Sequence, residues 1–333
     1  MTHLTRRHVL AGAAAIGGAA TLAQSHLGSP AHAAAPMAGK QNPGWYRYKV
    51  GQFEITVVTD GASPTAVTER YVANAPKSEV SAALVASHSA PDTAMHSYTP
   101  IVVNTGAKLV VMDTGVGLAA YQQSKGLLGQ FHDNLAAAGI DKNAVDIVII
   151  SHLHSDHING LLGADNKPAF ANAEIMMPAV DVKFWTDDAN AARLPDPIKG
   201  QFANVKRVLG ALGSNITQYE GSKELVAGIT SMPTPGHTPG HTSFVIASGS
   251  DRLLSQVDVT GGATALFMRQ PGWHFLFDTD GPVAEQTRRK FYDMAVAEKA
   301  RVQGFHFPFP AVGYVEKDGP GYRFVPAPWN PTI

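Results

Sequence analysis

The stretch VDIVIISHLHSDH, residues 145–157, places an apolar run directly before a cluster of histidine and aspartate residues, which are common metal ligands. A continuous apolar run such as 145–150 is typical of a strand that is buried on both faces. Because side chains of an extended chain repeat every two residues, His152 and His154 can point the same way. The aspartate and histidine that follow can then face a second position nearby. Since polar groups beside a buried strand are costly unless a charge satisfies them, the stretch predicts a metal site.

Three more candidate ligands follow other strand-like segments. His237 stands in the Pro/Gly-rich turn TPGHTPGHT, Asp258 follows the apolar run at 253–257, and a third candidate, His306, follows a strand-like segment near the C-terminus. A zinc-type ion takes three or four nitrogen or oxygen ligands, so two ions need more than the first cluster supplies. Functional groups collect at strand ends in open α/β sheets, which favours a shared site.

Composition excludes several classes of site and partner. The 333 residues contain no cysteine, which excludes disulfides, iron–sulfur clusters, thiolate zinc sites and cysteine nucleophiles. With 26 Lys+Arg against 27 Asp+Glu, the formal net charge is −1, so no electrostatic argument favours nucleic acid or an anionic membrane as a partner.

The remainder of the chain reads as one domain of mixed strands and helices. No linker, charge run or repeat divides residues 45–333, and sheets layered with helices are expected. The strands are predicted at 53–60, 98–104, 108–112, 145–150, 229–232, 242–247 and 253–257. The helices are predicted at 124–138, 180–185, 197–209 and 282–300.

Residues 1–33 predict an export signal. Arg6 and Arg7 precede an Ala/Gly-rich apolar stretch, and the sequence AHA at 31–33 has the form of an A-x-A cleavage site. The paired arginines resemble the twin-arginine type. We therefore expect the twin-arginine export machinery as a partner, cleavage near Ala33, and a periplasmic or secreted domain at 34–333.

The pattern His-x-His-x-Asp-His at 152–157, followed in order by His237, Asp258 and His306, resembles the metallo-β-lactamase superfamily. The resemblance covers essentially the whole mature chain. It implies a single-domain α/β fold, the four-layer αβ/βα sandwich, with two divalent metal ions at the edge of its sheets.

The resemblance also implies how the ligands divide. One ion would take the three imidazoles of His152, His154 and His237. The second ion would take the side chains of Asp156, His157 and His306. Asp258 would bridge both ions. Ligands of nitrogen and oxygen alone suit Zn²⁺, and Mn²⁺, Co²⁺ or Fe²⁺ are feasible.

Two adjacent cations make a nucleophile available without a serine or cysteine. Metal binding lowers the pKa of water, so a hydroxide between the ions would attack the substrate at neutral pH. Asp156 and Asp258 are the expected catalytic carboxylates beside it. Asp156 is also expected to pass a proton to the leaving group.

Other polar residues are expected to support the ligands. Asp60, and Asp113 in the turn DTG, match early motifs of the superfamily and would accept a hydrogen bond from a ligand imidazole, unless they cap a helix or turn. His241 would hydrogen-bond near the site or serve the structure. The remaining histidines before the first cluster are expected at the surface or in loops: His88, His96 and His132. His274 has no assignment.

Within the superfamily, more of the chain resembles the secreted methyl parathion hydrolases. The segments NTGAKLV at 104–110 and GYRFVP at 321–326 carry this likeness. It implies hydrolysis of neutral small-molecule esters, above all organophosphate triesters with an aryl leaving group. Five aromatic residues would line the substrate cavity, unless they belong to the core: Trp185, Phe202, Trp273, Phe275 and Phe277.

Other functions remain open on the same scaffold. Lactonases that cleave acyl-homoserine lactones share the metal motif, and a lactonase or arylesterase is the main alternative. Many of these lactonases carry a tyrosine three residues beyond the bridging aspartate, where this chain has Gly261, so the group that stabilises an oxyanion is undetermined. A β-lactamase is disfavoured because many have Cys or Ser in place of Asp258. A flavo-diiron oxidoreductase is disfavoured because it would carry Glu in place of His154. A non-catalytic metal-binding protein is disfavoured because it would not need the full ligand set.

Oligomeric state is not determined by the sequence. The apolar segments 102–103 and 109–111 can be core or the interface of a homodimer.

Overall fold

Two seven-stranded β-sheets dominate the structure, a computed structural model that describes residues 37–39, 41–193 and 196–333. Residues 42–333 form one compact unit. The export signal expected at 1–33 and its cleavage position lie outside the described residues. Within the described part of the chain, no helix has the length and apolar character needed to cross a membrane.

The strands along the chain are β1 (Trp45–Val50), β2 (Phe53–Val58), β3 (Gly61–Ala66), β4 (Thr93–Tyr98), β5 (Ile101–Asn104), β6 (Leu109–Met112), β7 (Ile147–Ile149), β8 (Glu174–Pro178), β9 (Ile216–Tyr219), β10 (Glu224–Val226), β11 (Ile229–Pro233), β12 (Thr242–Ser248), β13 (Asp251–Val257), β14 (Arg301–Gly304), β15 (Val312–Asp318) and β16 (Gly321–Pro326). The helices are α1 (Lys77–Ala86), α2 (Ala119–Gln123), α3 (Phe131–Ala137), α4 (Ser155–Ile158), α5 (Ala179–Thr186), α6 (Asp188–Ala191), α7 (Asp196–Leu212), α8 (Thr264–Arg269) and α9 (Gly281–Ala297).

The two large sheets follow each other along the chain. The first has the order β1-β2-β5-β6-β7-β8-β9, antiparallel as far as β6 and parallel from β6 to β9. The second runs from β10 to β16 in sequence order and is antiparallel except for the β13–β14 pair. Strands β3 and β4 form a separate two-stranded sheet.

The strands of the first sheet bury side chains on both faces, as the apolar run at 145–150 predicts. Ile147 and Ile149 of β7 belong to the core shared with the second sheet, whereas Val148 packs with the helices outside. This alternation follows from the two-residue repeat of a strand. The apolar segments 102–103 and 109–111 divide between the same two cores, so they pack inside the fold.

Helices cover the outer faces of the two sheets. Apolar residues of α7 recur three or four positions apart, which gives the helix one apolar face against the first sheet. These residues are Ile198, Phe202, Val205, Val208 and Leu212. On the other side, α9 contributes Phe291 and Ala295 to the core of the second sheet. Helix, sheet, sheet and helix form the four layers of the predicted αβ/βα sandwich, and the predicted fold class is confirmed.

Two local predictions differ from the structure. The helix predicted at 124–138 is limited to α3, because Gly126 and Gly129 adopt φ of 85° and 74°, which a right-handed helix does not accept. The strand predicted at 98–104 is divided between two sheets: Tyr98 ends β4, and β5 begins at Ile101 after Pro100, which has no N–H for a strand ladder.

Candidate metal centre

Three imidazole nitrogens meet at the edge of the sheets and form the first ligand group. His152 and His154 follow β7, and His237 lies in the loop between β11 and β12. His154 Nδ1 lies 3.2 Å from His152 Nε2 and 2.9 Å from His237 Nε2. All three side chains are buried. Three converging imidazole nitrogens are a set that suits one zinc-type ion.

A second group contains two imidazoles and two carboxylates. Asp156 Oδ2 lies 3.4 Å from His157 Nε2 and also 3.4 Å from His306 Nε2. The fourth member, Asp258, places Oδ2 3.5 Å from His157 Nε2 and 3.0 Å from His306 Nε2. Asp156 and His157 lie within α4. Asp258 directly follows β13, and His306 lies two residues beyond the end of β14.

Asp258 lies between the two groups. Besides its contacts to the second group, its Oδ2 is 3.3 Å from His237 Nε2 and 4.0 Å from His152 Nε2. One carboxylate oxygen is therefore within reach of both ligand groups. This is the position that the resemblance implied for a bridging ligand, and the structure brings all seven predicted ligand residues together.

His241 positions the backbone of Asp258 and does not join the ligands. Its Nε2 accepts the Asp258 N–H at 3.1 Å, and its Nδ1 donates to the Thr234 carbonyl at 3.0 Å. Burial lowers the pKa of His241 to about 3, so the ring is neutral. The preceding residue, Val257, has a φ of 53°, a conformation that costs a branched residue about 1–3 kcal/mol. Its carbonyl is held by the N–H of Phe305 at 3.2 Å and by the side-chain amide of Gln256 at 2.8 Å.

Asp113 orients two ligand imidazoles. Its Oδ2 accepts hydrogen bonds from His157 Nδ1 at 2.9 Å and from the Ser151 hydroxyl at 2.8 Å. Because that hydroxyl gives its proton to Asp113, its oxygen accepts from His152 Nδ1, 3.0 Å away. Nε2 is therefore the nitrogen of both rings that is directed at the site. This is the role predicted for Asp113.

Asp278 and Ser97 orient the other two imidazoles that bind through Nε2. Asp278 Oδ1 accepts from His237 Nδ1 at 2.9 Å, and the Ser97 carbonyl accepts from His306 Nδ1 at 2.7 Å. The sequence analysis did not identify Asp278. Nothing in the segment FDTD distinguishes it from Asp280, which caps α9.

A further buried carboxylate that the sequence analysis missed ties the two ligand loops together. Asp181 of α5 accepts the Leu153 N–H at 2.9 Å, the Thr238 hydroxyl at 2.9 Å and the Gly240 N–H at 2.6 Å. One side chain thus fixes the loop after β7 relative to the turn that carries His237.

Asp60 contacts no ligand imidazole, which corrects the role predicted for it. Its Oδ2 accepts the Val116 N–H at 2.7 Å, and its Oδ1 accepts the Phe131 N–H at 2.8 Å, at the start of α3. Gly115 passes so close that a Cβ atom there would lie 2.5 Å from Asp60 Cγ. Burial raises the pKa of Asp60 to about 7. Asp60 therefore ties the loop after β6 to α3 and has a structural role.

The ligand groups face a cavity of about 180 Å³. Phe275 and Phe277 line this cavity, as predicted from the resemblance. The other three predicted aromatic residues do not line it and lie in the core: Trp185, Phe202 and Trp273. The first two belong to the inward faces of α5 and α7, and the third packs beneath α8. Trp185 still contacts the site from behind, with its ring 5.5 Å from that of His154.

His96 lines the cavity, although the sequence analysis placed it at the surface or in a loop. It lies on β4, where exposed Met95 alternates with buried residues, and this two-residue pattern was the signal that could have found it. Its Nε2 is 2.8 Å from the Tyr71 hydroxyl, which also accepts the Ala263 N–H at 3.1 Å and therefore donates to His96. Burial lowers the pKa of His96 to about 4, so the ring is neutral.

The remaining histidines stand apart from the ligand groups. His88 is exposed, and His132 of α3 hydrogen-bonds the Gly160 carbonyl through Nε2 at 2.9 Å. His274, left without assignment, lies 3.4 Å from Glu285 at the surface side of its loop.

The charges of the site fit divalent cations. Within the described residues, no lysine or arginine pairs with Asp156 or Asp258, and His157 Nε2 and Asp258 Oδ1 are buried without a hydrogen-bond partner. Burial opposes protonation of the imidazoles, yet the carboxylates raise the pKa of His237 to about 9 and that of His306 to about 10. Metal ions would supply the positive charge that these carboxylates attract.

Comparisons with known proteins agree with this centre. A family model described as "Metallo-beta-lactamase superfamily" matches residues 97–279. No curated protein sequence matches the chain.

Among solved structures, AidC, a dizinc quorum-quenching lactonase in complex with a product, is 27% identical, with a TM-score of 0.78, over 86% of this chain and 98% of that one. The hydrolase AbOPH of the beta-lactamase superfamily is 24% identical, with a TM-score of 0.77, over 87% and 100%. A probable metal-dependent hydrolase from Staphylococcus aureus is 19% identical, with a TM-score of 0.60, over 78% and 91%. The last two show the fold alone.

The family model spans more than half of the chain, and its range includes every ligand residue except His306. The protein therefore belongs to the metallo-beta-lactamase superfamily and is a metal-dependent hydrolase.

Proposed function

We propose that the protein hydrolyses lactones and related neutral carboxylic esters with two divalent cations, Zn²⁺ in the first place. The observation that carries the proposal is the position of Asp258 Oδ2, which lies within 4.0 Å of histidines from both ligand groups, in a residue that lines the cavity. The likeness to a dizinc lactonase at 27% identity supports a lactone as substrate.

The residues of the chain contribute to this reaction by orienting the ligand imidazoles and by placing a carboxylate where it can carry a proton. When bound, the two cations would lower the pKa of a water molecule and polarise the ester carbonyl. Asp113 and Asp278 accept hydrogen bonds from Nδ1 of His157 and His237, so Nε2 is the nitrogen of each ring that is directed at the site. Asp156 lines the cavity and is 20% exposed at its side chain, so its Oδ2 is placed to carry a proton to the leaving oxygen.

The organophosphate triesters expected from the sequence are the second candidate. Phe275, Phe277 and Tyr98 give the cavity an aromatic wall, which suits an aryl leaving group. Three of the five aromatic contacts on which that expectation depended lie in the core instead. We therefore place phosphotriester hydrolysis behind lactone and ester hydrolysis.

A substrate panel tests the order of these candidates. The zinc-loaded protein would be assayed for kcat/KM with N-hexanoyl-homoserine lactone, γ-nonalactone, phenyl acetate and paraoxon, with the Asp258→Asn variant as control. We expect the lactones to exceed paraoxon by at least tenfold. A higher value for paraoxon would reverse the order, and zinc-loaded protein inert on all four would contradict the proposal.

We also propose that the protein is exported by the twin-arginine route. The support is the sequence alone, namely Arg6 and Arg7 before an apolar stretch and the AHA at 31–33.

A further inference from the structure

A second cavity adjoins the cavity that the two ligand groups face, which we call the metal cavity. Its volume is about 420 Å³, and Phe275 lines both cavities. Ile198 and Leu276 give the second cavity apolar surface, whereas Arg70 and Glu69 place charges on it. Because Phe275 is the one described residue that lines both cavities, its side chain is called the partition between the metal cavity and the larger second cavity, which is apolar in part.

The partition occupies space that two glycines leave free. A Cβ atom at Gly261 would lie 3.1 Å from Phe275 Cε1, and one at Gly262 would lie 2.7 Å from Phe275 Cζ. The ring is 4% exposed and packs 5.2 Å from Phe267 and 5.3 Å from Phe277, measured between ring centroids. Contacts on several sides hold the ring in this place.

Asp278 fixes the backbone of the partition to the ligand framework. Its Oδ2 accepts the Phe275 N–H at 3.0 Å, while its Oδ1 accepts from His237 Nδ1 at 2.9 Å. The Phe275 ring also stacks on that of His237, with 6.5 Å between centroids and 10° between planes. The wall thus keeps a defined position relative to the ligand groups.

The metal cavity is too small for a long substrate as long as the partition is in place. A cavity of about 180 Å³ is smaller than the roughly 300–1,000 Å³ usual for small-molecule sites, and the two chambers joined would fall within that range. We propose that Phe275 determines specificity by restricting the site to substrates with short acyl substituents. The distal methylenes of a longer acyl chain would occupy the second cavity once the ring is removed. This inference rests on the proposed function for the identity of the substrate.

The test compares Phe275→Leu and Phe275→Ala with the wild type, each loaded with zinc and checked for metal content. Hydrolysis of N-butanoyl- and N-dodecanoyl-homoserine lactone gives the ratio of kcat/KM for long over short chains. We expect this ratio to rise at least tenfold in Phe275→Ala and less in Phe275→Leu, because each methylene placed in an apolar pocket is worth about tenfold or more. If Phe275→Ala does not fold, the leucine variant alone decides.

Phe267→Leu is the matched control. Phe267 is fully buried in the same aromatic cluster but lines neither cavity, so its ratio is expected to stay at the wild-type value. An unchanged ratio in both Phe275 variants would overturn the proposal. An equal rise in Phe267→Leu would also overturn it, because general loosening of the core would then explain the result.

Binding without turnover separates this inference from the proposed function. Butanoate and decanoate would be titrated calorimetrically into the same zinc-loaded proteins. We expect the preference for decanoate over butanoate to increase at least tenfold in Phe275→Ala, whether or not the wild type hydrolyses lactones. A protein inert on lactones with this shift would contradict only the proposed function, and no shift would contradict the partition.

Discussion

Asp113 Oδ2 accepts a hydrogen bond from His157 Nδ1 at 2.9 Å, so a carboxylate at the end of one strand orients a ligand that follows the next. Strands β6 and β7 are parallel, with Met112 paired to Ile149, and the residues after both strands therefore emerge at the same edge. Asp113 adopts a φ of 61°, a conformation that aspartate tolerates better than most residues. The turn that brings the carboxylate to the imidazole is local, whereas the contact itself depends on the pairing of the strands.

Asp113→Asn is expected to weaken zinc binding by about 10–100-fold, the usual effect of losing a carboxylate that orients a ligand imidazole. Asparagine keeps the φ of this position accessible, so the loss would come from the changed hydrogen bonds to His157 and Ser151. Competition with a chromophoric chelator would measure the affinity.

Asp60→Asn is the matched control for that variant, since Asp60 accepts only backbone N–H groups. We expect a loss of about 1–3 kcal/mol in unfolding free energy, because one buried N–H loses its acceptor, with zinc affinity within threefold of the wild type. Equal losses of zinc affinity in both variants would refute the separate roles of these two carboxylates.

Asp156→Asn is expected to lower kcat by at least a hundredfold, since the amide cannot carry a proton from its Oδ position to the leaving oxygen. The comparison is valid for protein that retains both ions, so metal content is determined on the same sample. A substrate whose leaving group needs no protonation, such as 4-nitrophenyl acetate, is expected to lose less. Near-normal turnover with both substrates would exclude the proton-carrying role.

Zinc binding to the metal-free protein is expected to release protons at pH 7.5. Burial opposes protonation, but Asp258 and its neighbours raise the pKa of His237 to about 9 and that of His306 to about 10, so both rings carry a proton at this pH. Ligation requires neutral imidazoles, and the apparent zinc affinity should therefore fall as the pH is lowered. Calorimetry in two buffers of different ionisation enthalpy measures the release, and binding without net proton release would contradict this account.

The same two pKa values contribute to the pH dependence of the metal-free fold. Because both folded-state values lie above the ordinary histidine value of about 6.5, their stabilising contribution is complete below that pH and is lost as the pH rises through 9 to 10. Zinc-loaded protein should lack this loss, because the ions replace the protons. Thermal unfolding of both forms between pH 6.5 and 10 tests the difference.

Replacement of Arg6 and Arg7 by lysine is expected to retain the protein in the cytoplasm of a bacterial host, with the signal uncleaved. The wild type should be found in the periplasm, starting near Ala34. Hydrolytic activity in the cytoplasmic fraction of the double variant serves as the control for folding. Normal export of this variant would contradict the twin-arginine assignment.

The membership of the two candidate ligand groups was predictable from the sequence because it depends on local geometry. The HLHSDH segment follows a buried strand, and a strand followed by a short helical turn brings its four side chains to one edge. Asp258 and His306 could be placed because each comes at or near the end of its own strand, and strand ends of a layered α/β fold gather at one edge. The helix α7 was likewise predictable, since apolar residues three and four positions apart define its buried face.

The roles of the residues around the ligand groups were decided by the tertiary structure. The sequence assigned the same role to Asp60 and Asp113, but one caps a helix and the other orients imidazoles, since strand pairing determines which groups each carboxylate faces. His96 was misplaced, although alternation along β4 carried a usable signal. Trp185 and Phe202 were wrongly predicted to line the cavity, because an aromatic residue in the sequence does not indicate whether its side chain faces the core or a cavity.

By itself, the sequence determined which side chains can bind metal and which edge of the fold they share, because these follow from short-range spacing and strand order. Only the tertiary structure decided which acceptor orients each imidazole and where the cavity ends. His237 meets Asp278 across 41 positions of sequence, and Phe275 occupies a gap over Gly261 and Gly262 that no local pattern encodes. Contacts of this kind depend on the packing of whole layers, so the spacing of residues along the chain does not specify them.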